Sequence, residues 1–130
     1  MNGADEAVGY ILCALDYESY CKGFRENECK EIRKLGVLRG VRAYFEPRLQ
    51  KKYAKKYPAH LHIDLLPEAQ GQGGGTALMN ALKAHLREKN VRGVFLCVGK
   101  DNKKALRFYK KQDFQVLNIV GGAVLMGCML

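Results

Sequence analysis

Four glycines crowd into five positions of the run Gln70-Gly71-Gln72-Gly73-Gly74-Gly75-Thr76. An alternating polar–apolar segment precedes the run, and a segment with helical period follows it. Strand, glycine loop and helix in that order let the backbone approach a ligand closely. They also turn the unpaired N–H groups and positive end of a helix toward it. Such a loop is a cradle for pyrophosphate; a flexible connector is the plainer alternative. A P-loop needs Gly-Lys-Ser/Thr at this point, and that triplet is absent. A dinucleotide-binding unit needs an acidic residue at the end of the next strand, where only Asp101 stands, and a longer series of βα units.

The pattern around the loop sets the element order. Val8 to Leu15 is small and apolar and reads as a strand ending at Asp16. From Tyr17 to Tyr57 the pattern is helical, with one helix near Glu26 to Leu35 and a second carrying Phe45, Leu49, Tyr53 and Tyr57 on one face. Pro47 fits the first turn of that second helix, and Pro58 ends it. His60 to Leu66 alternates as a strand. Leu78, Leu82 and Leu86 mark a helix reaching Lys89, with Asn90 as a left-handed stop. Val91 to Val98 is an interior strand. A short helix follows from Asn102, with Ala105, Phe108 and Tyr109 on its inner face. Phe114–Val120 and Ala123–Leu130 flank Gly121-Gly122 as a hairpin.

At 130 residues the chain suits one domain, 1–130, with 17–58 as a helical insertion between two strands. Lysine and arginine number 22 against 13 acidic residues, a balance of +9 that favours an anionic ligand or partner. Tyr53 and Tyr57 among lysines raise nucleic-acid binding, but their shared face with Phe45 and Leu49 marks them as core. No run approaches the roughly 18 apolar residues that span a bilayer. The start shows no secretory signal. Five cysteines in no C-x-x-C pair read as free thiols in a reducing cytoplasm, with no metal site.

The loop and the later block together resemble the GNAT family of N-acetyltransferases. Its loop pattern, Gln/Arg-x-x-Gly-x-Gly/Ala, is met by Gln70, Gly73 and Gly75, behind Leu65-Leu66-Pro67. Its second block is met by Asn102-Lys103-Lys104-Ala105-Leu106-Arg107-Phe108-Tyr109, then Phe114. His60 through Glu68 and the helical stretch before it look most like the branch of the acetyltransferase-like domain of O-GlcNAc hydrolases. The resemblance implies an α/β acyl-CoA N-acyltransferase fold, with a mostly antiparallel mixed sheet flanked by helices and one parallel pair at the CoA site. It also implies three departures. Asp113 stands where the family places glycine, and the Tyr17–Pro58 insertion is long. The sequence starts at what the resemblance makes the third strand: either the usual N-terminal β-α-α-β segment belongs to a longer chain, or the helices of that insertion or a second subunit, as in a homodimer, would wall the acceptor pocket.

The implied reaction moves acetyl from acetyl-CoA to a primary amine of a small molecule or peptide by direct attack. A degenerate domain that binds acyl-CoA or a protein partner without catalysis is the alternative. Gln70, Gly71, Gln72, Gly73, Gly74, Gly75 and Thr76 would hold the carrier, Gln72 to Thr76 at the pyrophosphate. Backbone N–H at Leu65 or Leu66 would polarise the thioester carbonyl. Tyr109 would donate to the departing thiolate; phenol near 10 against thiol near 8.5 makes full transfer only slightly uphill. Asn102 would cap its helix or touch the CoA arm. His60, His62 and Asp64 share one strand face by period two and are the candidates to take the amine's proton, with Glu68 just beyond. Histidine titrates nearest neutrality, which favours His62 or His60.

Overall fold

The computed structural model describes residues 6–16, 19 and 52–130. Strand β1 (Gly9–Ala14) and β2 (Ala59–Leu65) pair antiparallel, in a register running from Gly9 opposite Leu65 to Ala14 opposite His60. A 310 turn at Pro67–Ala69 leads into the glycine loop, and helix α1 (Gly74–Glu88) follows. Strand β3 (Gly93–Gly99), helix α2 (Lys103–Lys111) and the hairpin β4 (Gln115–Val120) and β5 (Ala123–Met129) complete the order. The sheet runs β1-β2-β3-β5-β4, antiparallel except where β2 meets β3. This is the mixed sheet that the sequence implies. The Glu26–Leu35 helix, Pro47, Phe45, Leu49, Cys21 and Cys29 lie outside the described residues.

Turn chemistry fixes the joints. Asn90 takes φ 56° after α1 and Asp113 takes φ 66° after α2, left-handed geometry that short polar side chains tolerate. Asp113, standing where the resemblance expects glycine, itself adopts this left-handed geometry. In the hairpin, Gly121 takes φ 57°. A bulge between Val116 and Asn118 interrupts the β4–β5 register. Nothing in the alternation of β4 announces it.

The centre of the sheet, along β3 and β5, is buried on both faces. Leu61, Val94, Leu96 and Met126 meet Met79 and Leu86 of α1 on one face, all 2% exposed or less. On the other, Tyr57 and Phe95 are 4% exposed and pack with Tyr53 and Leu117. Tyr53 Oη donates to Leu117 O at 3.2 Å, using a carbonyl at the bulge. An added Cβ at Gly127 would fall 2.8 Å from Tyr57 Cε1, so that glycine is the seat of the ring. Both tyrosines are therefore packing residues rather than stacking platforms for bases.

One buried cation sits where α1 meets the end of α2. Lys83 is 7% exposed, and its Nζ donates to Gln112 O at 2.6 Å. It also lies 3.7 Å from Asp113 Oδ2 and 5.8 Å above the Phe114 ring. A cation here meets the unpaired carbonyls and negative end of α2, which offsets the cost of its desolvation.

His60 is 7% exposed and packs edge-on against Phe95, ring centroids 4.9 Å apart. Burial, and then the neighbouring His62, pull its pKa from 6.5 down to about 4. Its neutral form is thus favoured by folding. The contribution is full above pH 6.5 and is lost progressively as pH falls toward 4. Urea titrations should show His60→Gln losing about 3 kcal/mol less stability than the wild-type chain between those limits. Parallel pH curves for the two proteins would contradict this burial of a neutral imidazole.

Candidate functional site

Pairing between β2 and β3 stops almost as soon as it starts. Only Ala59 with Val94 and His60 with Phe95 are in register, although both strands run on for several residues. The divergence opens a cleft of about 690 Å³. Its lining comes from both sides of the sheet: His62 and Asp64 from one face of β2, Ile63 and Leu65 from the other. Cys97, Val98 and Gly99 line it from β3. The cleft is therefore a passage through the sheet, with α1 and α2 beneath it.

The antiparallel ladder decides which β2 amide faces the gap. Leu66 N–H donates to Val8 O at 2.8 Å. Bonded and non-bonded pairs alternate, so Gly9 and Leu65 form a non-bonded pair. The Leu65 N–H consequently turns away from β1, toward the side where β2 has lost its partner. Leu66 is a correction to the sequence expectation, because its amide is already committed and its residue lies outside the cleft lining.

The loop holds its shape through glycine geometry. Gly71 at φ 77° and Gly73 at φ 84° are left-handed, and Gly73 caps α1 with no side-chain hydrogen bond. The first intrahelical bond is Ala77 N–H to Gly73 O, at 2.9 Å. The amides of Gly74, Gly75 and Thr76 precede it and have no intrahelical acceptor. No acidic residue occupies the first turn of α1. Its positive end is thus left for an external anion. Gly75 lets α1 approach α2: an added Cβ would lie 3.2 Å from Phe108 Cζ.

Gln70, Gly71, Gly73, Gly75 and Thr76 line the cleft, whereas the Gln72 and Gly74 side positions do not. Gln72 Nε2 instead donates to Glu68 O at 2.8 Å and ties the loop to the turn before it. Gln70 is also a strut: Nε2 donates to Leu65 O at 3.0 Å, and Oε1 accepts from Lys104 Nζ at 2.6 Å. Lys104 lines the cleft and was not read from the sequence. The available signal was Lys103-Lys104 in the first turn of α2, where cations oppose the helix dipole.

Asn102 is the N-cap of α2, its Oδ1 accepting from Ala105 N–H at 3.1 Å, and it also borders the cleft. Tyr109 reaches the cleft from α2 at 8% exposure. Burial first, and the Asp64 charge second, raise its phenol above the ordinary value of 10. His62 and Asp64 are exposed and line the cleft, and His62 lies 6.1 Å from the Tyr10 ring. His60 is not brought to the cleft; the packing that buries it also removes it from the candidates for base. Cys97 lines the wall as a thiol that burial pushes up to about 11. Among the described residues no helix is long and apolar enough to cross a membrane.

An uncharacterized N-acetyltransferase of Methanocaldococcus jannaschii is 37% identical over 73 residues, covering 55% of this chain. The match spans 32% of that relative, about a third of its length. The crystal structure of SsHAT is 30% identical and superposes with a TM-score of 0.81, covering 98% of this chain and 69% of that one. The PaiA N-acetyltransferase of Thermoplasma acidophilum, solved in complex with coenzyme A, is 25% identical with a TM-score of 0.54, over 55% of this chain and 46% of that one. The acetyltransferase (GNAT) family model matches residues 2–114. With its split parallel pair, its glycine cradle and this match over most of its length, the chain belongs to the acetyltransferase (GNAT) family.

Proposed function

We propose that the chain is a single acetyltransferase domain that moves acetyl from acetyl-CoA to a primary amine of a small molecule or peptide. The observation that carries this reading is the parting of β2 from β3 directly above the open amides of α1. An extended arm fits the passage, and a pyrophosphate fits the helix end. The residues present suit this carrier: the cradle has no carboxylate in its first helical turn, and Lys104 adds a cation at the cleft.

Gly74, Gly75 and Thr76 amides hold the pyrophosphate. Leu65 N–H donates to the thioester oxygen and stabilises the negative charge that builds there when the amine attacks. His62, exposed at the cleft, accepts the proton that the acceptor ammonium must lose before its nitrogen can attack, and Asp64, two residues on, attracts the cationic acceptor. Tyr109 donates a hydrogen bond to the sulfur as the carbon–sulfur bond breaks. Its raised pKa keeps the phenol protonated and widens the gap to a thiol. The hydrogen bond, rather than complete proton transfer, is then its main contribution.

Thiol release from acetyl-CoA with a panel of amines is the direct test. Turnover on at least one amine supports the reading; tight binding without turnover on any supports a degenerate, non-catalytic domain instead. Gly73→Asp should abolish CoA binding in calorimetry. Nothing lies within 4 Å of an added Cβ there, but φ at +84° strains any side chain, so Gly73→Ala carries the backbone cost alone and the loss beyond it reports a carboxylate placed against the pyrophosphate. Unchanged affinity would exclude the loop as the cradle. Tyr109→Phe should lower kcat about a hundredfold with little change in acetyl-CoA affinity. Asp64→Asn should lower the Tyr109 phenol pKa in an ultraviolet titration, because it removes the charge that opposes phenolate.

A further inference from the structure

Gln112 closes α2 and is 9% exposed. Helix α1 grips it at two heights. Its main-chain oxygen accepts from Lys83 Nζ at 2.6 Å, and its Nε2 donates to Thr76 Oγ1 at 3.2 Å. Thr76 and Lys83 are two helical turns apart and share a face, so residue 112 is held rigidly against α1.

A hydroxyl has one proton to give and lone pairs with which to accept. With an amide N–H directed at Thr76 Oγ1, the hydroxyl proton cannot also point toward Gln112. It must be given elsewhere, and among the described residues no protein acceptor takes it. Thr76 lines the cleft in the first turn of α1, beside the open amides of Gly74 and Gly75.

We propose that Gln112 is a positioning residue that fixes the Thr76 hydroxyl as a donor to a phosphate of the acyl carrier at the start of α1. The proposal rests on reading the cleft as the acyl-CoA site. Gln112 acts through Thr76 and does not touch the carrier. The grip through Lys83 holds the amide in place, so the last turn of the helix that carries Tyr109 is joined to the phosphate cradle.

Calorimetry with CoA tests this on the wild-type chain, Gln112→Met, Thr76→Val and the double variant. Gln112→Met keeps the main-chain oxygen that Lys83 uses. Each single substitution should raise Kd about tenfold, the lower end for a hydrogen bond to a charged group. The double variant should be no worse than Thr76→Val alone, because both changes remove one interaction. Gln112→Glu, of the same size but able only to accept, should weaken binding at least as much as Gln112→Met. Unchanged affinity in Gln112→Met, or losses that multiply in the double variant, would overturn the proposal. A merely structural loss would weaken binding equally in both Thr76 backgrounds, which separates it from positioning. Failure of the wild-type chain to bind CoA overturns the cleft reading itself and is seen before any substitution is made.

Discussion

The brevity of the β2–β3 ladder governs the rest of the molecule. Two paired positions are enough to seat Ala59 and His60 in the sheet, yet too few to hold the strands together as far as Leu65. Past that point, backbone groups of β2 lose their neighbour on one side. A buried strand with unpaired amides is costly unless something else satisfies them. Leu65 shows the compromise: its carbonyl is met by Gln70, while its amide faces the gap. The cleft is thus a consequence of incomplete pairing, and the glycine loop with α1 furnishes its floor.

Incomplete pairing demands firm anchorage nearby. Burial on both faces of β3 and β5 supplies it, through Val94, Leu96 and Met126 toward the helices and through Phe95 and Tyr57 on the far side. The polar contacts between α1 and the end of α2 add direction to that packing. Lys83 and Thr76 meet one residue, Gln112, so the two helices that flank the cleft cannot slide past each other without breaking both bonds. Gln70 and Lys104 tie the opposite end of α2 to the loop.

Much of this was legible in residue order. Periodicity located the strands and both helices, and the glycine run between them located the cradle, because φ beyond reach of most side chains leaves a visible mark at Gly71 and Gly73. Two lysines opposing a helix dipole would also have pointed to Lys104. Less could be read where the outcome depends on partners distant in sequence. Period two puts His60, His62 and Asp64 on one face, but it cannot tell that Phe95 covers the first and the parted strands expose the others. Nor can it say which of two adjacent amides the neighbouring strand has taken, the question that separates Leu65 from Leu66. Nothing in the helical period marks Lys83 as buried, since its carbonyl partner lies 29 residues away.

The same two-position ladder also bears on how the molecule breathes. β3, β5 and β4 are joined by extended antiparallel registers, with β5 between the other two, and β1 with β2 forms a second paired unit. Few main-chain bonds join the two across the seam, so they resemble separate cooperative units meeting along a narrow hinge line. The amides nearest that seam belong to the part of the sheet that can open without melting the remainder. A ligand bridging Leu65 and the start of α1 would span the seam and slow its hydrogen exchange. Occupancy of the cleft and local rigidity of the sheet are, in this architecture, two readings of one equilibrium.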